Sequence, residues 1–342
     1  MRALSLLLLT ACSDYNVNGD NKPAKGRNHV DAHDVDTGAS QDSVPTDDTD
    51  SGSDTVTDTG TEIEPPPKGK IDVVLLIDVA YWYDCYHADL PVESQALISA
   101  LLGSGANVAI SIATFDDYNV DGEWNTALGG LPYIMKQQLT TDAGLLASAA
   151  SQLELVWGGD GPGTGFEAIA QASKGDGYDQ DCNGKYDADY DIKPFNQRGS
   201  DAFNGNVKGT ANSATPGTGT VPGAGFRDGS KRIVVAFAEN AFRDKDEGHK
   251  FPAGSCSAVN TRAATIAALQ TVGAKFLGVN AYEFQDEDPV LQEQIEAIAN
   301  GTHSKIDGDG DGAVDDPAVL YGSWDWPATS VLVNAIWDLA GP

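Results

Sequence analysis

One segment, Ile71-Asp72-Val73-Val74-Leu75-Leu76-Ile77-Asp78, constrains the fold of this chain more than any other. Its apolar residues run on without the alternation of a strand wetted on one face. The segment therefore reads as a strand covered on both sides, which requires helices above and below a mostly parallel sheet. The chain after it supplies both kinds of element in alternation. Further strands are expected at Val108–Phe115, Arg232–Glu239, Ala274–Asn280 and Ala318–Tyr321. Helices are expected at Leu90–Leu102, Thr141–Leu155, Gly165–Ser173, Thr261–Val272, Val290–Ala299 and Pro327–Leu339. The expected fold class is α/β, a doubly wound, mostly parallel sheet with helices on both faces. Two Asp/Gly-rich insertions, about 175–230 and 301–316, interrupt it.

The chain ahead of this region has another character. Arg2 and the short apolar run Ala3–Leu9 form a leader far below the roughly 20 residues that span a bilayer. Leu9-Thr10-Ala11-Cys12 resembles the bacterial lipobox, which implies cleavage after residue 11 and acylation of Cys12. Ser13 rather than Asp follows, which by resemblance to enterobacterial sorting favours the outer membrane. Residues 12–69 hold almost no large apolar side chains. Residues 13–69 carry 13 acids against 4 bases. Such a segment cannot bury enough surface to offset its ordering entropy, so it is expected to be a disordered tether ending in Pro65-Pro66-Pro67. The net charge of −30 over 342 residues argues against nucleic acid and against docking on anionic lipid through a basic patch. Residues 70–342 are expected to form the folded domain.

Within that domain the motifs resemble those of von Willebrand factor A domains. A strand ending in Leu76-Ile77-Asp78 is followed by a helix and by Ala109-Ile110-Ser111-Ile112-Ala113-Thr114-Phe115. Gly159-Asp160-Gly161-Pro162-Gly163-Thr164-Gly165-Phe166-Glu167-Ala168-Ile169 is similar to a stretch of the integrin β I-like branch. The resemblance implies a metal-ion-dependent adhesion site at the carboxyl ends of the strands, where α/β sheets place ligands. It also implies that the site is degenerate here. Asp78 is retained, the two Ser positions are Ala80 and Trp82, the second-loop ligand position is Gly163 beside Thr164, and the last position is Glu239 or Asn240. A working Mg²⁺ adhesion site is therefore not expected. Tyr81, Trp82, Tyr83 and Tyr86 stand where the metal loop would be, either as an interaction hot spot or as a plug for the vacated space.

Calcium has a separate signal. Asp307, Asp309, Asp311 and Asp315 occupy positions 1, 3, 5 and 9 of an EF-like loop, with Gly312 at the turn and Ala313 offering a carbonyl. The bidentate Glu of position 12 is absent, so another acid such as Asp316 would complete the shell. Asp179, Asp181, Asn183 and Asp187 repeat the spacing around Gly184. The A-domain winding implies that both loops lie at the pole opposite Asp78. It also implies Cys85–Cys256 as the disulfide, leaving Cys182 over. No Gly-x-Ser-x-Gly, His-Glu-x-x-His or P-loop pattern is present, and no enzyme is expected. The expected function is a lipid-anchored envelope protein that binds a protein or surface ligand, with structural Ca²⁺. The alternative is an assembly scaffold with no ligand of its own.

Overall fold

The computed structural model describes residues 62–80, 90–118, 131–156, 162–180, 182–186, 191–192, 194, 223–251, 259–281, 289–322 and 326–341. Strand β1 (Lys70–Asp78) lies mid-sheet, and every side chain from Ile71 to Ile77 is fully buried. It pairs in parallel with β2 (Asn107–Phe115) on one side and with β4 (Lys231–Ala238) on the other. Outward from β4 come β5 (Ala274–Asn280) and the short β8 (Val319–Tyr321), both parallel. Outward from β2 lies β3 (Ile134–Thr140), antiparallel and bulged. The six-stranded order is thus β3-β2-β1-β4-β5-β8.

Helices α1 (Leu90–Gly103), α2 (Ala143–Ala150) and α6 (Thr329–Ala340) pack together on one face, and α3 (Gly165–Lys174), α4 (Arg262–Val272) and α5 (Pro289–Gly301) on the other. The fold is α/β with a mostly parallel sheet. A separate ribbon joins β6 (Lys305–Ile306) to β7 (Asp316–Pro317) and closes the loop between them.

Four elements differ from the sequence reading, the two short ribbon strands β6 and β7 among them. Strand β3 was not expected, because Lys136-Gln137-Gln138 at its centre lacks an apolar pattern. Its polar groups are accommodated locally: Ser111 Oγ donates to the Gln137 carbonyl at 2.8 Å, and the Gln137 side chain donates to the Gln138 carbonyl. The helix expected over 141–155 is only α2. Asp142 caps it by accepting from the Gly144 and Leu145 amides, and it ends at Ser151. Beyond that, Val156 donates its amide to the Val79 carbonyl, so the chain is extended where it meets the end of β1.

The domain also starts earlier than expected. Among the described residues Glu62–Pro67, assigned above to the tether, belong to the same compact unit as the sheet. Asn334 on α6 donates to the Glu62 carbonyl and accepts the Glu64 amide, at 3.0 and 2.9 Å. At the start of β1, the buried Asp72 is held by the Arg227 backbone amide and Nε, which ties the return of the first insertion to the sheet.

Helix α3 begins in tight quarters. A Cβ on Gly165 would lie 2.2 Å from the Phe242 ring, which also packs edge-on against Phe115 and Phe166. Gly165→Ala is therefore expected to lower unfolding free energy by about 1–3 kcal/mol through overpacking. Denaturant unfolding reads this directly, and an unchanged midpoint would show that the ring moves freely.

Candidate functional site

The order of strands reverses between β1 and β4, and in open α/β sheets ligands bind outside the carboxyl ends at such a switch point. Asp78 ends β1 there and is 3 % exposed. Its Oδ1 accepts the Ala80 amide at 3.0 Å, and its Oδ2 accepts the Glu239 amide at 3.4 Å. Glu239 follows β4 and is also buried. Gly163 is the third member: a Cβ there would stand 3.8 Å from Asp78 Oδ2 and 3.4 Å from the Asp116 carbonyl. Of the residues expected at the adhesion site, Asp78, Ala80, Gly163, Thr164 and Glu239 thus gather at one pole. Trp82 lies outside the described residues, as do Tyr81, Tyr83 and Tyr86.

Thr164 stands just ahead of α3, beside Gly163. Its hydroxyl lies 3.0 Å from the Asp116 carbonyl and 2.9 Å from the Pro132 carbonyl, so its proton is directed at backbone acceptors. It locks the start of α3 against the ends of β2 and β3. Ala80 supplies no side-chain oxygen. The carboxyls of Asp78 and Glu239 remain as the ionisable pair. Burial is the main cause that pushes Asp78 up to about 7, with the Asp117 charge adding to it and the two amide hydrogen bonds opposing. Burial and then the Asp78 charge push Glu239 up to about 9. The pair thus retains at least one proton at neutral pH, which a cation would have to displace.

The same pole contains residues the motif reading passed over. Asp117 receives Nε and Nη2 of Arg243 at 2.9 and 2.6 Å, with both side chains almost fully buried. Glu167 on α3 accepts from Tyr118 Oη, Gln171 Nε2 and the Asn260 backbone and side chain. The available signal was Asp116-Asp117 directly beyond an apolar strand of a parallel sheet.

The loop Asp307–Asp315 lies at the other end of the sheet, roughly 25 Å away by the length of a nine-residue strand. The Asp307 amide donates to Asp338 Oδ2 at the C-terminal end of α6, beside the start of β4, where Lys231 Nζ donates to the Gly341 carbonyl. Oxygens of Asp307, Asp309 and Asp311 all lie within 4.8 Å of one another. Asp307 Oδ1 is buried with no hydrogen-bond partner, while Oδ2 accepts the Gly312 amide at 3.0 Å. Gly312 has φ 89°, the sharp turn expected at position 6. Ala313 donates to Asp311 Oδ1, and Asp316, on β7, receives the Gly308 amide. Asp315 is exposed on the same loop. This donor set fits a hard cation.

The second loop shows the same internal bonding. Gly184, with φ 80°, donates to Asp179 Oδ2 at 2.7 Å, and Lys185 donates to Asn183 Oδ1 at 2.8 Å. The amide at position 2, Gln180, donates to a later acid, Asp191, as Gly308 does to Asp316. Asp181 and Asp187 lie outside the described residues.

Its location differs from the expectation. After Gly175 caps α3, Gly177 is bonded in both directions to the Gln171 side chain, and Tyr178 packs against Tyr118 at 5.3 Å. Tyr118 follows β2 and reaches Glu167 in the first turn of α3. The chain therefore climbs back along α3, away from the lower pole, because burying Tyr178 against Tyr118 requires it.

Cys182, expected to be left over, is disulfide-bonded. Cys85 and Cys256 lie outside the described residues, as does the lipidation candidate Cys12. Among the described residues no helix is long and apolar enough to cross a membrane.

No protein-family model matches this chain, and no curated protein does. Among solved structures it is similar to proximal thread matrix protein 1 of the mussel byssus, with 9 % identity and a TM-score of 0.41. The match covers 82 % of this chain and 48 % of that one, so the chain spans about half the length of that protein.

Proposed function

We propose that this chain is a lipid-anchored protein of the bacterial cell envelope, with a von Willebrand A-like domain that binds a protein or surface ligand and uses Ca²⁺ structurally. Three observations support the A-like assignment. Strands β1 and β4 are neighbours, Asp78 stands at the end of β1, and Gly163 and Glu239 converge on it. The ligand face is the pole at that switch point. An adhesion metal is not part of the reading, since two hydroxyl positions are Ala80 and Trp82. The lipid anchor rests on Leu9-Thr10-Ala11-Cys12, and the outer membrane on Ser13.

The observation that carries the calcium reading is the bonding shared by two loops of unrelated surroundings. In each, a left-handed Gly at position 6 donates to the Asp at position 1, and the amide at position 7 donates to the side chain at position 5. Both devices hold side-chain oxygens inward, as a Ca²⁺ shell needs.

Calorimetric titration of the metal-stripped full chain tests this. Ca²⁺ is expected to bind, Mg²⁺ to bind at least about tenfold more weakly because it demands a smaller octahedral shell, and the Asp307→Ala/Asp309→Ala variant to lose one Ca²⁺ site. A Mg²⁺ site that survives this change and disappears with Asp78→Ala would replace the reading with metal-dependent adhesion.

A further inference from the structure

We propose that Glu62–Lys68 is a strap whose docking is coupled to cation binding at the Asp307–Asp315 loop, so that Ca²⁺ fastens the point where the tether joins the domain. The proposal rests on the calcium reading above and adds a consequence that reading does not contain. Both segments use the last turns of α6 as their seat. Asn334 holds the strap through the Glu62 carbonyl and the Glu64 amide. Asp338, four residues on and therefore on the same helical face, holds the loop by accepting the Asp307 amide at 3.0 Å.

Between them is a cavity of 460 Å³ lined from the strap by Pro65, Pro66 and Pro67, from the helix by Trp337 and Asp338, and from the loop by Val314. Trp337 is 3 % exposed and lines the cavity. Pro65 and Pro66 are exposed and Pro67 is half-buried; prolines have little backbone freedom to lose on docking, which makes the strap a low-cost clamp.

The coupling has a direct physical route. Without a cation, the three carboxylates gathered within 4.8 Å repel one another and favour opening of the loop. Opening moves Val314 out of the cavity wall and removes the amide from Asp338. With a cation bound, the closed loop is the favoured state, and it is the state that completes the seat of the strap. Linkage requires the reverse effect as well: a docked strap raises the affinity of the loop for Ca²⁺ by the same factor.

The test combines hydrogen exchange at the Glu64 amide with Ca²⁺ titration, on the full chain in detergent. Ca²⁺ is expected to slow Glu64 exchange about fivefold or more, the low end of ordinary coupling. Asn334→Ala is expected to remove that protection and to weaken Ca²⁺ binding by a similar factor. Val314→Ser, which leaves the strap's hydrogen bonds in place, is expected to reduce the response from the loop side. Asp309→Asn/Asp311→Asn is expected to abolish the Ca²⁺ response and, by relieving the repulsion that opens the loop, to slow metal-free exchange toward the Ca²⁺-bound rate. Ca²⁺ that binds the wild type but leaves Glu64 exchange unaltered, with unchanged affinity in Asn334→Ala, overturns the coupling alone. An absence of any Ca²⁺ binding that depends on Asp309 and Asp311 overturns the calcium reading and the coupling with it.

Discussion

Arg243→Ala is expected to destabilise the domain by about 3–5 kcal/mol, the usual penalty for stranding one partner of a buried ion pair. Arg243 and Asp117 are 1 % and 3 % exposed at the side chain and meet through two parallel hydrogen bonds. Arg243 Nη1 also donates to the Lys250 carbonyl at 2.8 Å, so the truncation loosens the 244–250 segment too. The consequence reaches the candidate ligand pole, because the Asp117 charge already acts on Asp78. The double variant Arg243→Ala/Asp117→Asn removes both charges and is expected to recover part of the loss. Urea unfolding of the single and double variants separates the two contributions. A double variant no more stable than the single would place the whole loss in packing and in the Lys250 contact.

Stability is also expected to fall as pH rises, the reverse of the acid sensitivity of most salt-bridged carboxylates. Asp78 is raised from 3.8 to about 7 and Glu239 from 4.5 to about 9. Above the ordinary carboxylate range the unfolded chain has released both protons while the folded domain retains them. The folded state then binds more protons, and the derivative of unfolding free energy with pH is negative. Each retained proton contributes a slope of about 1.4 kcal/mol per pH unit. The fall should be steepest between roughly pH 5 and 7, where both groups hold protons, and about half as steep above 7, where Glu239 alone does.

Below the unfolded-state values the stabilisation is fully present. Thermal or urea unfolding in metal-free buffer from pH 5 to 9 measures the profile, and Asp78→Asn/Glu239→Gln should flatten it. A wild-type profile as flat as that of the double variant would show that solvent reaches the pair. Abolition of the fall by millimolar Mg²⁺ would show instead that a metal takes the place of the protons.

The two pairs illustrate what a linear reading can find. The run Ile71–Ile77, apolar but for Asp72, reads as a doubly covered strand because it is short and rich in β-branched residues, where a buried helix would be longer. The same holds for Val234–Phe237 and Phe276–Val279, whose residues apart from Gly278 are buried apolar side chains. The two Asp/Gly loops were legible because their carboxylate spacing is set by a backbone turn within a dozen residues. Gly312 and Gly184 take the left-handed conformation that spacing requires. Asp78 was legible from its place after an apolar strand.

Tertiary structure decided the rest, for reasons of distance along the chain. Strand β3 exists because the edge of β2 offers it a partner, not because Lys136-Gln137-Gln138 prefers a sheet. The Thr164 hydroxyl is engaged because Asp116 and Pro132, 48 and 32 residues away, bring their carbonyls to it. Asp117 finds Arg243 across 126 residues, and Glu62 finds Asn334 across 272. The second loop leaves the lower pole because Tyr178 is buried against Tyr118. Local spacing thus determined the parallel strands of the sheet, most of the helices and the shape of the Asp/Gly loops. Long-range packing determined which carboxyls are desolvated together, where each loop sits, and how Glu62–Pro67 is held to α6.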